Sequence, residues 1–189
     1  MWILGDSLVR HAGENNPQPL GEGVISWLGY PGRSLAEMPD KLCKHLRKNP
    51  HPSVLIIHAG TCDVFEQSTK EMRWIIGEVL WGIRNLLPST TIIWSDILPR
   101  TYYHGELTPG AGRRIINFFN AQAHGQIHKI ENAGYIYHKP LFPPKHYNLY
   151  RRDGLHLAKE GNIVFRMYLA EAVLYFRTHP GAKVFPPTS

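Results

Sequence analysis

The sequence predicts an α/β domain, a three-layer α/β/α sandwich built on a five-stranded parallel sheet. Short apolar runs alternate along the chain with longer segments whose apolar positions recur every three or four residues. Strands alternating with helices imply parallel strands joined by crossover helices, with both sheet faces covered. The run Val54-Leu55-Ile56-Ile57 is apolar throughout, as a strand buried on both faces requires, and Thr91-Ile92-Ile93-Trp94 reads as another buried strand. At 189 residues the chain fits one domain, expected over 1–177, with 178–189 as an extended or disordered tail.

The first strand is Trp2-Ile3-Leu4, followed at once by Gly5-Asp6-Ser7. A loop rich in Gly, Asn and Pro leads to a second short strand, Val24 to Leu28. Ser34-x-x-Glu37 reads as a capping box, but Pro39 falls in the first turns, so the helix is expected from near Pro39 to about Lys48. Pro50 and Pro52 break the chain before the Val54 strand. Ser68-x-x-Glu71 is a cleaner capping box. It precedes Met72, Ile75, Ile76, Val79, Leu80, Ile83, Leu86 and Leu87, a continuous helical stripe.

After the Thr91 strand, residues 97–110 form a loop rich in Tyr, Gly and Pro. A helix is expected over about 111–132, carrying Ile115, Phe119, Ala123, Ile127 and Ile130 on one face, with Gly134 as its stop. Tyr135 to His138 reads as the last strand. A proline-rich loop runs to Asp153, and a final helix spans about 158–176. The tail, Thr178 to Ser189, holds three prolines.

Composition narrows the function classes. Hydrophobic residues make up 43% and charged residues 19%, a globular balance in which a chain of this size buries roughly 70% of its unfolded surface without staples. No apolar run approaches the ~20 residues of a membrane span, and no signal-peptide pattern is present. A core strand at residue 2 suggests a domain excised from a longer chain. Cys43 and Cys62 form no spaced framework, which fits a reducing, intracellular setting, cytoplasmic or nuclear. The net charge of +6 raises nucleic acid or a lipid headgroup as an anionic partner. The basic residues are scattered, however, as in Lys41, Lys44, Arg47 and Lys48, or Arg151 and Arg152.

Two distant segments carry the chemistry. Gly5-Asp6-Ser7 places a hydroxyl on the turn that ends a strand, beside the N–H groups of the following helix. Asp153-Gly154-Leu155-His156 places a carboxylate and an imidazole on one turn, where the carboxylate fixes the imidazole tautomer. Together they supply the groups of nucleophilic acyl transfer. In a parallel sheet, ligands sit at the carboxyl ends of the strands near a topological switch point. Ser7 follows the first strand, Gly32 the second and Gly60 to Asp63 the third, while Asp153 and His156 follow the last. All four segments therefore fall on one rim. Taken alone, Ser7 and the Asp153/His156 pair also read as a helix cap and a hydrogen-bonded loop histidine.

In the same order, Gly5-Asp6-Ser7, Gly32 in Tyr30-Pro31-Gly32-Arg33-Ser34, Gly60-Thr61-Cys62-Asp63 and Asp153-Gly154-Leu155-His156 resemble the four blocks of the SGNH (GDSL-type) hydrolases. The resemblance covers about residues 2–176. The stretches Ile92 to Arg100 and Asp153 to Leu157 look closest to esterase-like domains encoded by vertebrate transposable elements. The resemblance implies a flavodoxin-like strand order, 2-1-3-4-5. It implies Ser7 as nucleophile and oxyanion donor through its own N–H, His156 as general base, and Asp153 as the residue orienting His156. Gly32 would lend its backbone N–H to the oxyanion, the missing side chain allowing close approach.

Cys62 departs from the pattern, which has an Asn donating to the oxyanion at this place. Thiols are weak donors, and losing one oxyanion donor typically costs about 10²–10³ in turnover. The resemblance therefore implies a serine esterase of small acyl esters, its activity weakened by Cys62; the alternative is an impaired module that binds a partner, a lipid or ester ligand, or nucleic acid. Cys62 as a substitute nucleophile beside His156 is chemically open.

Asp6 and Asp63 read as loop-holding residues, and Tyr102, Tyr103, His104, Phe142 and Tyr147 as walls of the acyl or alcohol pocket. His124 and His128 stand four apart on an exposed helix face without an acidic partner, so no metal site and no cofactor is expected. The substrate expected is a small ester or lipid-like molecule; the oligomeric state is not legible.

Overall fold

Six parallel strands form one sheet in the computed structural model, which describes residues 1–14, 25–103, 107–141 and 147–186. They are β1 (Trp2–Gly5), β2 (Ser26–Gly29), β3 (Val54–His58), β4 (Thr91–Ser95), β5 (Ala133–Ile136) and β6 (Val184–Phe185), in the spatial order β2-β1-β3-β4-β5-β6. The helices between them are α1 (Ser7–Glu14), α2 (Met38–Leu46), α3 (Thr69–Leu86), α4 (Pro109–Ile127) and α5 (Lys159–Thr178).

Strand periodicity divides the core into two layers. Leu4, Leu55, Ile57, Ile92 and Trp94 face α2, α3 and α4, where Leu42, Met72, Ile76, Leu80 and Phe119 pack on them. Ile3, Ile56, Ile93 and Ile136 face α1 and α5, against Leu8, Phe165 and Leu169. The strand order reverses between β1 and β3, whose ends pair Gly5 with His58. The loops leaving these two strands therefore flank the crevice of the switch point.

The inner five strands keep the expected order, but the sheet has six strands where five were expected. Tyr135 and Ile136 pair with Val184 and Phe185, which come from the segment that sequence composition leaves outside the sheet. A two-residue strand flanked by proline carries no periodicity to find. β2 is also displaced: Ser26–Gly29 replaces Val24 to Leu28, and Val24 lies outside the described residues.

Capping chemistry accounts for the other helix boundaries. Ser68 Oγ accepts the Glu71 N–H at 3.2 Å and the Glu71 carboxylate accepts the Ser68 N–H at 3.0 Å, so α3 starts where its capping box places it. The Ser34 N–H likewise donates to Glu37 at 2.9 Å, but it opens a single 3-10 turn, Leu35–Glu37, ahead of α2. α4 begins earlier than residue 111 because Thr108 caps it, its hydroxyl accepting the Ala111 N–H at 3.2 Å with Pro109 in the first turn. Gly134 does not stop α4. Asn132 takes the left-handed turn, at φ 50°, and Gly134 lies inside β5, where a Cβ would collide with the Phe176 ring. No helix among the described residues is long and apolar enough to cross a membrane.

Candidate active site

Ser7 stands at the carboxyl end of β1 as the first residue of α1. Gly5 before it has no room for a side chain, because a Cβ would meet the His58 carbonyl oxygen of the neighbouring strand. Asp6 is fully buried and accepts the Leu8 N–H at 3.0 Å, which fixes the turn.

Across the crevice, the loop between Arg151 and His156 is closed by backbone hydrogen bonds. The Arg151 N–H donates to the His156 carbonyl at 2.7 Å and the Gly154 N–H to the Arg151 carbonyl at 2.9 Å. Gly154 adopts φ +69°, and its carbonyl accepts the Thr101 N–H at 2.8 Å, docking this loop on the one after β4. Asp153 Oδ1 accepts the N–H groups of Leu155 and His156, both at 2.9 Å.

These two segments meet. Ser7 Oγ lies 3.0 Å from His156 Nε2, and His156 Nδ1 lies 2.9 Å from Asp153 Oδ2. Burial pushes the Asp153 carboxyl up, but the Leu155 N–H, the His156 ring and the His156 N–H outweigh it and bring the pKa down to about 2. An ionised Asp153 holds the proton on Nδ1, which leaves the Nε2 lone pair facing the serine hydroxyl. The imidazole is 23% exposed, so solvent and small molecules reach it. The His11 ring of α1 supports it edge-on, with ring centroids 5.2 Å apart.

Gly32 and Cys62 lie on the two loops that flank Ser7, after β2 and β3. Asp63 ties these loops together, Oδ2 accepting the Leu35 N–H at 2.9 Å. Gly32 is glycine for a different reason than close approach: a Cβ would meet nothing within 4 Å, but φ is +67°. Cys62 is half-buried, and its thiol is pushed up by burial and then by the charges of Asp6 and Asp63. The raised pKa favours the thiol over the thiolate at neutral pH.

Other expected wall residues divide. Tyr103 is buried, its hydroxyl accepting the Arg100 N–H at 3.2 Å, so it belongs to the core and not to a pocket. Tyr102 is exposed. His104, Phe142 and the side chain of Tyr147 lie outside the described residues. His124 does have an acidic partner: Nε2 lies 2.7 Å from Asp96 Oδ1, and the ring stacks on Tyr135 with centroids 3.6 Å apart. No group of three metal-ligating side chains occurs among the described residues.

The overall architecture has known counterparts. A GDSL-like lipase from Bacteroides thetaiotaomicron superposes with a TM-score of 0.72 at 16% identity, covering 92% of this chain and 87% of that one. The chain has the SGNH hydrolase fold. A psychrotrophic esterase from Pseudoalteromonas sp., in a form inhibited by monoethylphosphonate, matches the same fold at a TM-score of 0.67 and 15% identity, over 94% of this chain and 98% of that one. A lipase/acylhydrolase from Enterococcus faecalis matches at 0.62 and 14%, over 91% and 93%. No protein-family model matches the sequence, and no curated protein does.

Within this SGNH fold, sequence reasoning missed two features of the rim. Arg100 Nη2 donates to the Thr61 carbonyl at 2.6 Å and its guanidinium lies over the Phe65 ring at 4.6 Å, so it anchors the Cys62 loop from the end of β4. Beneath the rim, Ser95 Oγ lies 2.9 Å from His58 Nδ1 and 2.6 Å from His138 Nε2, all three side chains fully buried. A hydroxyl holds one proton, so it donates to one ring and accepts from the other. Desolvation lowers both imidazole pKa values, keeping both rings neutral. Sealed from solvent, this second serine–histidine set is a structural link between β3, β4 and the loop after β5.

Proposed function

We propose that the protein is a carboxylic ester hydrolase of serine type. The observation that carries the reading is the unbroken chain Ser7 Oγ–His156–Asp153, a 3.0 Å contact between residues 149 apart followed by a 2.9 Å contact within the loop. In this reading Ser7 Oγ attacks the acyl carbon while its proton passes to His156 Nε2. That proton then goes to the departing alkoxide, which leaves as the alcohol. Water attacks the acyl-enzyme by the same route, losing a proton to His156 that returns to Ser7 Oγ as the acid departs. Asp153 stays ionised throughout and stabilises the imidazolium. The N–H groups of Ser7 and Gly32 are the backbone donors available to the oxyanion.

A fluorophosphonate probe is expected to label the native protein on Ser7 and to leave Ser7→Ala unlabelled, read by intact mass and peptide mapping. A native protein that gains no adduct mass would refute the mechanism. Cys62 favours a second reading, a site whose oxyanion pocket has one donor too few and which retains ligands without turning them over efficiently.

A further inference from the structure

α1 carries more of the site than its first residue. Ser7, His11 and Glu14 stand at i, i+4 and i+7, on one face of the helix. The His11 ring meets the His156 ring edge-on, with centroids 5.2 Å apart and planes at 86°. His11 Nδ1 lies 3.2 Å from Glu14 Oε2, and Arg10 Nε donates to Glu14 Oε1 at 2.6 Å. The hydrogen bonds from Arg10 and His11 hold the Glu14 carboxyl below the usual carboxylate range. An ionised Glu14 accepts the His11 Nδ1–H, which fixes the orientation of that ring.

His156 depends on such a contact. It stands on a loop, and its bond to Asp153 lies within that loop, three residues away. That bond sets the tautomer but not the place of the ring relative to Ser7. Outside its own loop, the hydrogen-bond and ring partners of the imidazole among the described residues are Ser7 Oγ, at 3.0 Å, and the His11 ring. The first of these exists only while Ser7 carries its hydrogen. Acylation turns Oγ into an ester oxygen, which has no proton to donate to Nε2. The imidazole must still stay in place, because it next takes a proton from the attacking water. As the water oxygen bonds to the acyl carbon, the Oγ–acyl bond breaks and the proton returns to Oγ.

We infer that His11 is a positioning residue for deacylation, holding the His156 imidazole beside the acylated Ser7 once the serine contact is gone. The inference rests on the hydrolase reading and goes beyond it, because it gives the two half-reactions different supports. In acylation the Ser7 hydroxyl and the His11 ring both hold the imidazole. In deacylation, of these two only His11 is left, so its loss is felt mainly in the second half.

The test follows p-nitrophenyl acetate, with acylation read as kcat/KM and deacylation as the decay of the acetyl-enzyme by intact mass once the ester is removed. His11→Ala is expected to slow deacylation about three- to tenfold, the worth of an edge-to-face ring pair, and acylation by less than about twofold. His11→Phe keeps a ring at the same place and is expected to bring deacylation back to within about twofold of native. Unchanged deacylation in His11→Ala, equal losses in both steps, or a Phe variant as slow as the Ala variant overturns the inference and leaves the hydrolase reading standing. A native protein that forms no acetyl-enzyme and takes no fluorophosphonate sinks the hydrolase reading instead, and the placement of the ring is then read without turnover. In Ser7→Ala, which lacks the serine contact, the His156 Nδ1–H proton is expected to remain visible by NMR and to be lost to exchange when His11→Ala is added. Its persistence in that double variant would show that His11 does not hold the ring.

Discussion

In the proposed hydrolase, Cys62 is the residue whose identity sets the rate. An oxyanion pocket works through preorganised donors, and removing one typically costs about 10²–10³ in turnover. Cys62→Asn places an amide donor on the loop held by Asp63 and Arg100, so hydrolysis of p-nitrophenyl acetate is expected to rise by about 10²–10³. An unchanged rate in a variant that still labels on Ser7 would show that the oxyanion is held by other groups. Asp153 makes the complementary case. It accepts three hydrogen bonds that would be lost or weakened on protonation, and its folded pKa of about 2 lies below the ordinary carboxylate range. A depressed carboxylate contributes stability above its unfolded pKa and loses it as pH falls toward the folded value. Asp153→Asn should therefore lower Tm most near neutrality, and the difference from the native protein should shrink between about pH 4 and pH 2. Its turnover should fall by about 10² or more, because the amide no longer fixes the imidazole tautomer. These residues were legible because a hydroxyl after a strand and an Asp-x-x-His turn each have a local signature. Arg100, His58 and His138 have none, since their partners are brought to them only by the sheet.

Elements were legible wherever a helix advertises its own ends. The Ser68/Glu71 box set the start of α3, and its apolar stripe is the one that packs on β3 and β4. The start of α4 was readable from Thr108-Pro109 but hidden by the Tyr- and Gly-rich sequence around it. Its end lies at Ile127, with His128 as the C-cap, ahead of both the left-handed Asn132 and Gly134. A single arginine gathers carbonyls from the end of α3 and from the turn before β5. Arg84 Nη1 reaches the carbonyls of Leu87, Pro88 and Thr90 at 2.9, 2.9 and 3.0 Å, and Nη2 reaches those of Glu131 and Asn132 at 2.8 and 3.2 Å. The planar fork suits this task and an ammonium does not. Arg84→Met is expected to cost about 1.5–3 kcal/mol, the range for hydrogen bonds to a charged group, measured by urea unfolding. A loss below about 0.5 kcal/mol would mean that water satisfies those carbonyls equally well.

At the scale of the whole molecule, the sheet separates function from closure. The crevice between β1 and β3 gathers Ser7 and His156, and β4 and β5 separate it from β6 in the sheet order. β6 acts on the opposite edge. The Tyr135 N–H donates to the Lys183 carbonyl at 2.9 Å and the Tyr137 N–H to that of Phe185 at 2.8 Å, while Lys183 Nζ reaches the Ile130 carbonyl at 2.7 Å. Phe185 is 8% exposed and packs on Tyr168 and Tyr175, with ring centroids 5.1 and 5.5 Å away. It thus covers an edge that would otherwise present unpaired backbone and the apolar end of α5 to solvent. Phe185→Ala is expected to cost roughly 3 kcal/mol, the low end for truncating a buried Phe because the site lies at the sheet margin. It should lower Tm while Ser7 labels with a fluorophosphonate at the native rate below that Tm, because Phe185 packs on Tyr168 and Tyr175 at the far edge of the sheet. A matched loss of labelling in the still-folded variant would mean that the far edge of the sheet holds the triad in register, and that the separation of the two edges is wrong.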